Sequence, residues 1–341
     1  MTSTAVIQVK RGIGDVIWHL PFIRAIAATA PEGKVTFLTL PSTNAKDLLQ
    51  AEPGVAEVQY FEHGGSEFQR ALHQARLISR LRRGRFRKVW ILDRTVRPAL
   101  AAMLAGIPER IGLGLGAQRH FITNRGIDAG HFHDMPAGWL RALMGAMNVP
   151  FGTTEPDLRL PERLLAEVAQ RYAAHPRPWI VLGLGGSHPE KDWPAEHCIA
   201  FMDMLRQRTA GTVFLIGGPD NAARAAEFIA HSTGAIAVNA CDLSVVQSAA
   251  LLRLADLFVG PDSGPMNLAA AGGTAAFGLF GATVVLDYSR FIHAIEPDDG
   301  FGRGRNGMSR ISPQAVMRQV EPYLGVTKAR SPDTRTHSMP C

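Results

Sequence analysis

Short runs rich in β-branched residues alternate with segments of helical periodicity along almost the whole chain. In its first part this pattern predicts strands at Val6–Val9, Val35–Leu40, Val55–Tyr60 and Val89–Leu92, and helices at Val16–Thr29, Asn44–Gln50, Glu67–Arg82 and Ala99–Ala105. Strands joined by helices pair in parallel, and the helices then cover both faces of the sheet. The order therefore predicts an α/β protein.

The alternation is interrupted between Asn148 and Pro161, where three prolines occur and no period is visible. Such a segment is typical of a linker. The pattern then restarts with strands at Trp179–Leu184, Val213–Ile216, Ala235–Val238, Leu257–Val259 and Ala276–Leu279. We predict two doubly wound Rossmann-like domains facing a cleft, over residues 1–150 and 151–327, and a disordered tail over residues 328–341. Ligands of such sheets bind beyond the carboxyl ends of the strands.

The composition is that of a globular protein, with 46% hydrophobic and 19% charged residues among 341. The longest uncharged stretch, Ser263 to Leu286, is broken by glycines and by Asn267. It is therefore predicted to form a buried helix, turn and strand rather than a membrane span. No basic, apolar leader follows Met1, which predicts no signal peptide. The three scattered cysteines argue against a disulfide framework and favour a cytoplasmic location.

Positive charge is concentrated between Ser66 and Arg97. This stretch holds ten lysines and arginines but only two acids, in a chain with a formal charge of +6. It is either a solvated helix face or a surface for an anionic substrate, a phospholipid membrane or nucleic acid. Nucleic acid is the weakest of these alternatives because no nucleic-acid-binding motif accompanies the charge, so no nucleic-acid partner is predicted.

The first glycine-rich turn, VKRGIGDVIWHLP, follows the first predicted strand and leads into a helix. Gly12 and Gly14 suit a sharp turn, because glycine tolerates positive φ. Asp15 stands at the start of the helix, where the macrodipole favours an acid. From the turn alone, Asp15 is either a helix cap or a functional carboxylate.

The segment LGLGGSHPEKDWP opens the second half. Gly185 and Gly186 allow the backbone to approach a phosphate closely, Ser187 adds a hydroxyl group and Lys191 adds a cation. The segment does not match the dinucleotide fingerprint, because His188 stands at the third glycine position. The alternative interpretation is a plain turn with a surface lysine.

Two more strand ends in the second half carry acids. In VGPDSGPMNLAAAGGT, Asp262, Ser263 and Gly264 precede a helix whose free amides can bind an anion. In IGGPDN, Asp220 is placed to accept hydrogen bonds from ribose hydroxyls. Simple capping is the alternative for the first of these acids. The segment HFHD at residues 131–134 lacks further ligands, so no metal site is predicted.

Taken together, these segments resemble glycosyltransferase family 9, the ADP-heptose:lipopolysaccharide heptosyltransferases. The likeness runs from Val6 to about Tyr323. It rests on four motifs in order: a basic residue followed by GD and LP (Lys10 or Arg11, Gly14-Asp15, Leu20-Pro21), K-x-W-P (Lys191 to Pro194), DSGPMNLAAA (Asp262 to Ala271) and LFGAT (Leu279 to Thr283). The chain departs from the family pattern in a first loop about one residue short. Asn267 also replaces the usual histidine, and Ala282 the usual proline.

The resemblance implies a GT-B architecture and an inverting mechanism that needs neither metal nor another cofactor. It implies transfer of a sugar, expected to be heptose from ADP-heptose, onto a lipopolysaccharide core. Asp15 matches the catalytic aspartate, which takes the proton of the acceptor hydroxyl. Lys191 and the helix start at Gly264 are expected to stabilise the leaving diphosphate. The expected donor-binding residues are Gly185, Gly186, Ser187, Asp220, Asp262, Ser263 and Gly264.

The acceptor is expected to bind the basic stretch, at Arg80, Arg82, Arg83 and Arg85, because a lipopolysaccharide core is anionic and lies at a membrane. The same charge predicts peripheral contact with the inner membrane. Two other functions stay open at this point: a nucleotide-sugar enzyme such as an epimerase, which would need no acceptor, and a binding protein without catalytic activity.

Overall fold

Two parallel β-sheets, each covered by helices, form the protein. The structure is a computed structural model that describes residues 2–128, 130, 136–186, 188–232, 236–297, 299, 304 and 306–325. The predicted tail at 328–341 therefore lies outside the described residues, as do Ser187 and the HFHD segment. No helix within these ranges combines the length and the apolar character needed to cross a bilayer.

The first sheet has the strand order β3-β2-β1-β4-β5. Its strands are β1 (Thr4–Ile7), β2 (Val35–Thr39), β3 (Val55–Tyr60), β4 (Lys88–Ile91) and β5 (Glu109–Ile111), and its helices are α1 (Ile13–Thr29), α2 (Ala45–Leu48), α3 (Glu67–Gly84), α4 (Val96–Leu104) and α5 (Pro136–Ala146). Every neighbouring pair is parallel. All residues of β1 and β2 are buried, as expected for a parallel sheet with both faces covered.

The second sheet has the order β11-β10-β9-β6-β7-β8, again with every described pair parallel. Its strands are β6 (Trp179–Gly183), β7 (Thr212–Ile216), β8 (Ile236–Asn239), β9 (Leu257–Pro261), β10 (Ala275–Leu279) and β11 (Ile292–Ile295). Its helices are α6 (Glu162–Arg171), α7 (Ala195–Arg208), α8 (Ala222–His231), α9 (Val245–Leu254), α10 (Gly264–Ala271) and α11 (Pro313–Val320).

The predicted α/β class and the two doubly wound halves are confirmed by these sheets. The uncharged stretch from Ser263 forms α10 and β10, as its glycine pattern predicted. The domain boundaries at residues 150 and 327 stay predictions.

The segment predicted as a linker is tied to both halves. In α1, Arg24 donates hydrogen bonds to the backbone carbonyls of Pro156 at 2.7 Å and Asp157 at 2.8 Å. The backbone N–H of Leu158 donates to Ala271 O at the end of α10, at 2.9 Å. These bonds connect the segment to both α1 and α10.

Each sheet has a switch point at which the strand order reverses. In the first sheet β1 lies between β2 and β4, and in the second β6 lies between β7 and β9. Helices leave in opposite directions at such a point, which opens a crevice at the carboxyl ends of the strands. The loop after β1 leads to Asp15, and the loop after β6 contains Gly185 and Gly186.

Candidate functional site

The first turns of α1 and α10 meet face to face across the cleft. A Cβ atom on Gly14 would lie 2.7 Å from Asn267 Nδ2, and one on Gly264 would lie 3.2 Å from Ile13 Cβ. A side chain at Gly14 would therefore displace the Asn267 side chain. Glycine at position 14 thus serves this close approach. The positive φ expected for a turn is not used, because Gly14 lies in the first turn of α1 and Gly12 has a φ of −86°.

Between the two sheets lies a cavity of about 490 Å³, here called the interface cavity. Its lining includes Arg11 to Asp15 and Trp18 from the first half, and Gly185, Gly186, Lys191, Asp262, Ser263, Gly264, Pro265 and Asn267 from the second. Residues predicted from three of the four motifs thus share one site. Asp220 is exposed, in a turn after β7, and does not line this cavity.

The Asp15 side chain is fixed by two hydrogen bonds. The backbone N–H of Gly12 donates to Oδ2 at 3.0 Å, and the Trp18 indole N–H donates to Oδ1 at 3.2 Å. Asp15 therefore caps its helix and also faces the cavity, so the two sequence interpretations are compatible. A carboxylate has about four acceptor positions, so room remains for a further donor.

Lys191 is held at the opposite wall. Its Nζ donates to the backbone oxygen of Asp262 at 3.1 Å and to Asp262 Oδ2 at 3.2 Å. Both side chains are mostly buried. The backbone N–H of Gly186 donates to Asp192 Oδ1 at 3.2 Å, and Arg224 pairs with Asp192 at 2.7 Å. The glycine loop is thus held by Asp192, and the lysine by Asp262.

The start of α10 offers unpaired donors to this cavity. Ser263 is the N-cap residue, but its side chain makes no capping hydrogen bond. The Ser263 hydroxyl oxygen is buried and has no hydrogen-bond partner. Buried polar groups without a partner are rare in proteins, so this hydroxyl and the free amides beside it form a place for an anionic group.

Asn267 has a structural partner that sequence reasoning missed. Its Nδ2 donates to Ser263 O at 2.7 Å, and its Oδ1 accepts a short hydrogen bond from the hydroxyl of Tyr288. Burial raises the pKa of Tyr288, which keeps this hydroxyl protonated as a donor. The asparagine thus links the N-terminus of α10 to the loop after β10. No sequence signal marks Tyr288, which lies outside every motif.

A second cavity, here called the basic cavity, lies beside the first. It has a volume of about 790 Å³ and is lined by His63, Arg70, Arg94, Arg97 and Trp139 among others. The Arg94 guanidinium lies 5.8 Å from the centre of the Trp139 ring. Burial, then the charge of Arg97, lowers the pKa of His63.

Arg11 joins the two cavities. It lines the interface cavity, and its Nη2 would lie 3.2 Å from a Cβ atom on Gly64, which lines the basic cavity. An extended ligand could therefore reach Asp15 from the basic cavity by passing Arg11.

The four arginines predicted to bind the acceptor lie elsewhere, near the C-terminal end of α3. Arg80 and Arg83 line a groove of about 720 Å³ along β3, here called the β3 groove. Arg82 donates to Leu104 O at 2.7 Å, and Arg85 is the C-cap residue of α3. None of the four lines the interface cavity or the basic cavity. Arg70, Arg94 and Arg97 of the same basic stretch do line the basic cavity.

Among the described residues, no group of three or more histidine, cysteine, aspartate or glutamate side chains is placed to hold a metal ion. The HFHD histidines fall outside those residues. The expectation of metal-free chemistry thus stays a prediction.

Solved structures of glycosyltransferases share this fold. E. coli ADP-heptose lipopolysaccharide heptosyltransferase II is 22% identical with a TM-score of 0.77, over 94% of this chain and 98% of that one. A family 9 glycosyltransferase from Veillonella parvula is 19% identical with a TM-score of 0.76, over 95% and 97% of the chains. E. coli heptosyltransferase WaaC, solved with ADP-2-deoxy-2-fluoro heptose, is 16% identical with a TM-score of 0.69, over 94% and 99%. At these identities the likeness shows the fold.

A comparison with curated proteins gives no match. The family model of glycosyltransferase family 9 (heptosyltransferase) matches residues 74–290, which is more than half of the chain. The two GT-B halves, the interface cavity and this match lead to one conclusion: the protein belongs to glycosyltransferase family 9.

Proposed function

We propose that the protein transfers a heptose from ADP-heptose to a hydroxyl group of an anionic lipopolysaccharide core, with inversion at the anomeric carbon and without a metal ion. The observation that carries this proposal is the interface cavity, where a fixed carboxylate from one half faces a lysine and an open helix start from the other. Family membership favours sugar transfer over epimerisation or simple binding.

The donor is assigned to the second half. Its diphosphate would bind the Gly185 amide, the start of α10 with the unpaired Ser263 hydroxyl, and Lys191. The Gly186 amide would exchange Asp192 for a phosphate oxygen. Lys191 would exchange part of its contact with Asp262 for phosphate oxygens. Asp262 repels phosphate and is assigned to a sugar or ribose hydroxyl.

The acceptor is assigned to the first half, with its anionic groups in the basic cavity. Arg70, Arg94 and Arg97 bind carboxylate or phosphate groups well, because guanidinium offers several donors in a fixed plane. Arg11 would guide the reacting sugar towards Asp15.

The reaction then follows from these positions. The acceptor oxygen attacks the anomeric carbon as its proton passes to Asp15, and the bond from that carbon to the diphosphate breaks. Lys191 and the amides of α10 receive the negative charge of the leaving group. These groups supply the stabilisation that a metal ion would otherwise provide.

The test incubates the full chain with ADP-heptose and a lipopolysaccharide core acceptor, with and without EDTA. The expected result is release of ADP, a product heavier by one heptose and an inverted anomeric configuration in its NMR spectrum. Product formation only after addition of Mg²⁺ or Mn²⁺ would contradict the metal-free mechanism. ADP-heptose conversion that needs no acceptor would favour an epimerase.

A further inference from the structure

We propose that the outward face of α3 is an interfacial surface that docks the protein on an anionic lipid bilayer, with Phe68 and Leu72 inserted among the lipids. This inference deepens the proposed function, because it specifies how the enzyme meets a lipid-linked acceptor. It also assigns a role to arginines that lie outside both cavities.

The face is defined by the helical repeat. Residues of α3 that recur three or four positions apart point away from the sheet, while Leu77 and Leu81 on the opposite side are buried. The exposed residues of α3 are Glu67, Phe68, Gln69, Ala71, Leu72, Ala75, Arg76, Ser79, Arg82 and Arg83, of which Phe68, Leu72, Ala75, Arg76, Ser79, Arg82 and Arg83 define the face. The N-terminal part of this face is thus apolar and the C-terminal part is cationic.

The apolar part is unusually open to solvent. Phe68 is 78% exposed and Leu72 is 39% exposed, and they are one helical turn apart. A second pair, Met103 at 37% and Leu104 at 45%, lies at the end of α4, where Arg82 contacts Leu104. Neighbouring exposed apolar side chains on a surface indicate an interaction site.

The cationic part has the charge that an anionic surface requires. Within the described residues, Arg80, Arg82, Arg83, Arg85 and Arg87 have no ion-pair partner, and Glu67 is the one acid in α3. Each arginine near an anionic bilayer is attracted to the lipid head groups. Basic helices with aromatic and leucine side chains on one face lie in the plane of a membrane interface.

The charge also disfavours a second copy of the chain as the occupant. In a two-fold symmetric contact the same patch meets itself, which would bring the unpaired arginines of both copies together. An anionic bilayer neutralises those arginines and also accepts the apolar pair.

The position of the face suits a lipid-linked acceptor. Phe68 and Leu72 flank Arg70 in sequence, and Arg70 on the inner side of the helix lines the basic cavity. Docking through Phe68 and Leu72 would therefore hold the basic cavity next to the lipid surface, where the sugar head of the acceptor emerges.

The experiment measures co-sedimentation of the full chain with vesicles of phosphatidylcholine mixed with phosphatidylglycerol, and with vesicles of phosphatidylcholine alone. The wild type should bind the mixed vesicles, and added salt should weaken this binding. The F68S/L72S double variant should bind about tenfold more weakly, because it loses the apolar area buried in the bilayer. Ile236→Ser is the matched control, since Ile236 is 46% exposed on β8 in the other half. It should bind as the wild type does.

Both sets of substitutions are at exposed positions, so equal thermal unfolding temperatures would show that folding is preserved. Absence of wild-type binding to the mixed vesicles, or equal binding by F68S/L72S, would overturn the docking proposal. An equal loss of vesicle binding by I236S would also overturn it, because the loss of binding would not be specific to α3.

The outcome is separable from that of the proposed function. Transfer to a lipid-free core oligosaccharide should proceed equally in the wild type and F68S/L72S, since neither residue lines a cavity described here. Sugar transfer without vesicle binding would overturn the docking surface alone. Vesicle binding without sugar transfer would instead contradict the proposed function.

Discussion

At the scale of single residues, the candidate site depends on side chains whose hydrogen bonds fix them before substrate arrives. Asp15 accepts two N–H groups, Lys191 is bonded to Asp262, and Asn267 is held between Ser263 and Tyr288. A site fixed in this way loses little free energy to reorganisation during the reaction.

Replacing Asp15 with asparagine should abolish most turnover and leave donor binding nearly intact. The amide oxygen can still accept the N–H of Gly12, so the helix cap survives, but the amide cannot take a proton. Loss of a general base lowers kcat by roughly 10²–10⁴-fold. The measurements are kcat at saturating substrates and the Kd for ADP-heptose. Wild-type kcat would mean that Asp15 serves only as the cap.

Replacing Lys191 with alanine should weaken ADP binding by about tenfold to a hundredfold, because a charge-assisted hydrogen bond to phosphate is lost. It should also lower kcat, since charge on the diphosphate grows as the bond breaks. Titration calorimetry with ADP measures the first effect. Lys191→Arg, which keeps the charge, is the control and should retain part of the affinity. Equal ADP affinity in all three proteins would refute the phosphate contact.

Replacing Tyr288 with phenylalanine should destabilise the fold by about 1–3 kcal/mol, because the buried Asn267 Oδ1 loses its donor. The start of α10 would then be held less firmly, so the KM for ADP-heptose should rise. Denaturant unfolding and donor kinetics are the two measurements. In N267A/Y288F both partners are absent, and the cost beyond Asn267→Ala alone should be smaller. An unchanged donor KM in Tyr288→Phe would show that the bond serves stability only.

At the scale of elements, α1 contributes both the Asp15 carboxylate of the candidate site and a buried histidine. His19 lies one turn after Asp15, is fully buried, and its Nδ1 contacts the backbone oxygen of Asp15 at 2.5 Å. Its Nε2 is buried without a partner. Burial lowers the pKa of His19 from 6.5 to about 4.

This histidine should make the protein less stable in mild acid. Between pH 6.5 and about 4 the unfolded chain binds a proton at His19 that the folded chain does not. Above pH 6.5 His19 is neutral in both states and the free energy of unfolding is at its full value. As pH falls from 6.5 towards 4, protonation of the unfolded chain lowers the free energy of unfolding by about 3 kcal/mol in total. The measurement is the free energy of unfolding against pH for the wild type and His19→Gln. The difference between them should shrink or reverse over this range, and a difference independent of pH would contradict the assignment.

At the scale of the whole molecule, the two sheets present different chemistry to one cleft. The second half supplies glycine amides, Lys191 and the start of α10, whereas the first half supplies Asp15 and the basic cavity. This division predicts that donor and acceptor binding can be weakened separately by substitutions in different halves.

Replacing Arg94 and Arg97 together with glutamine should raise the KM for a lipid-free anionic core oligosaccharide by about tenfold, because each arginine offers charge-assisted hydrogen bonds. The Kd for ADP-heptose should change little, since its proposed partners are in the other half. The comparison variant, R80Q/R83Q, alters arginines of the β3 groove. A larger KM effect in that variant would locate the acceptor head group at the arginines that the sequence predicted.

The sequence by itself determined the α/β class, the two halves and most of the loops that line the interface cavity. Periodicity and glycine turns are local signals, and parallel strands place their carboxyl ends at one edge, so Asp15, Gly185, Lys191 and Asp262 could be assigned to one cleft. The strand β5 has only three residues, too few to establish a period, and it was not predicted.

Only the tertiary structure decided which distant side chains meet. The bond between Asn267 and Tyr288 joins residues 21 positions apart, and neither motif nor period links them. The basic stretch shows the same limit. Its ten cations look alike in sequence, but the helical repeat of α3 and the turn after β4 distribute them. Arg70, Arg94 and Arg97 line the basic cavity, whereas Arg80, Arg82, Arg83 and Arg85 lie near the C-terminal end of α3, where Arg80 and Arg83 line the β3 groove. The number of charged residues can be counted along a chain. The surface on which each of them lies is set by which face of its helix packs against the sheet.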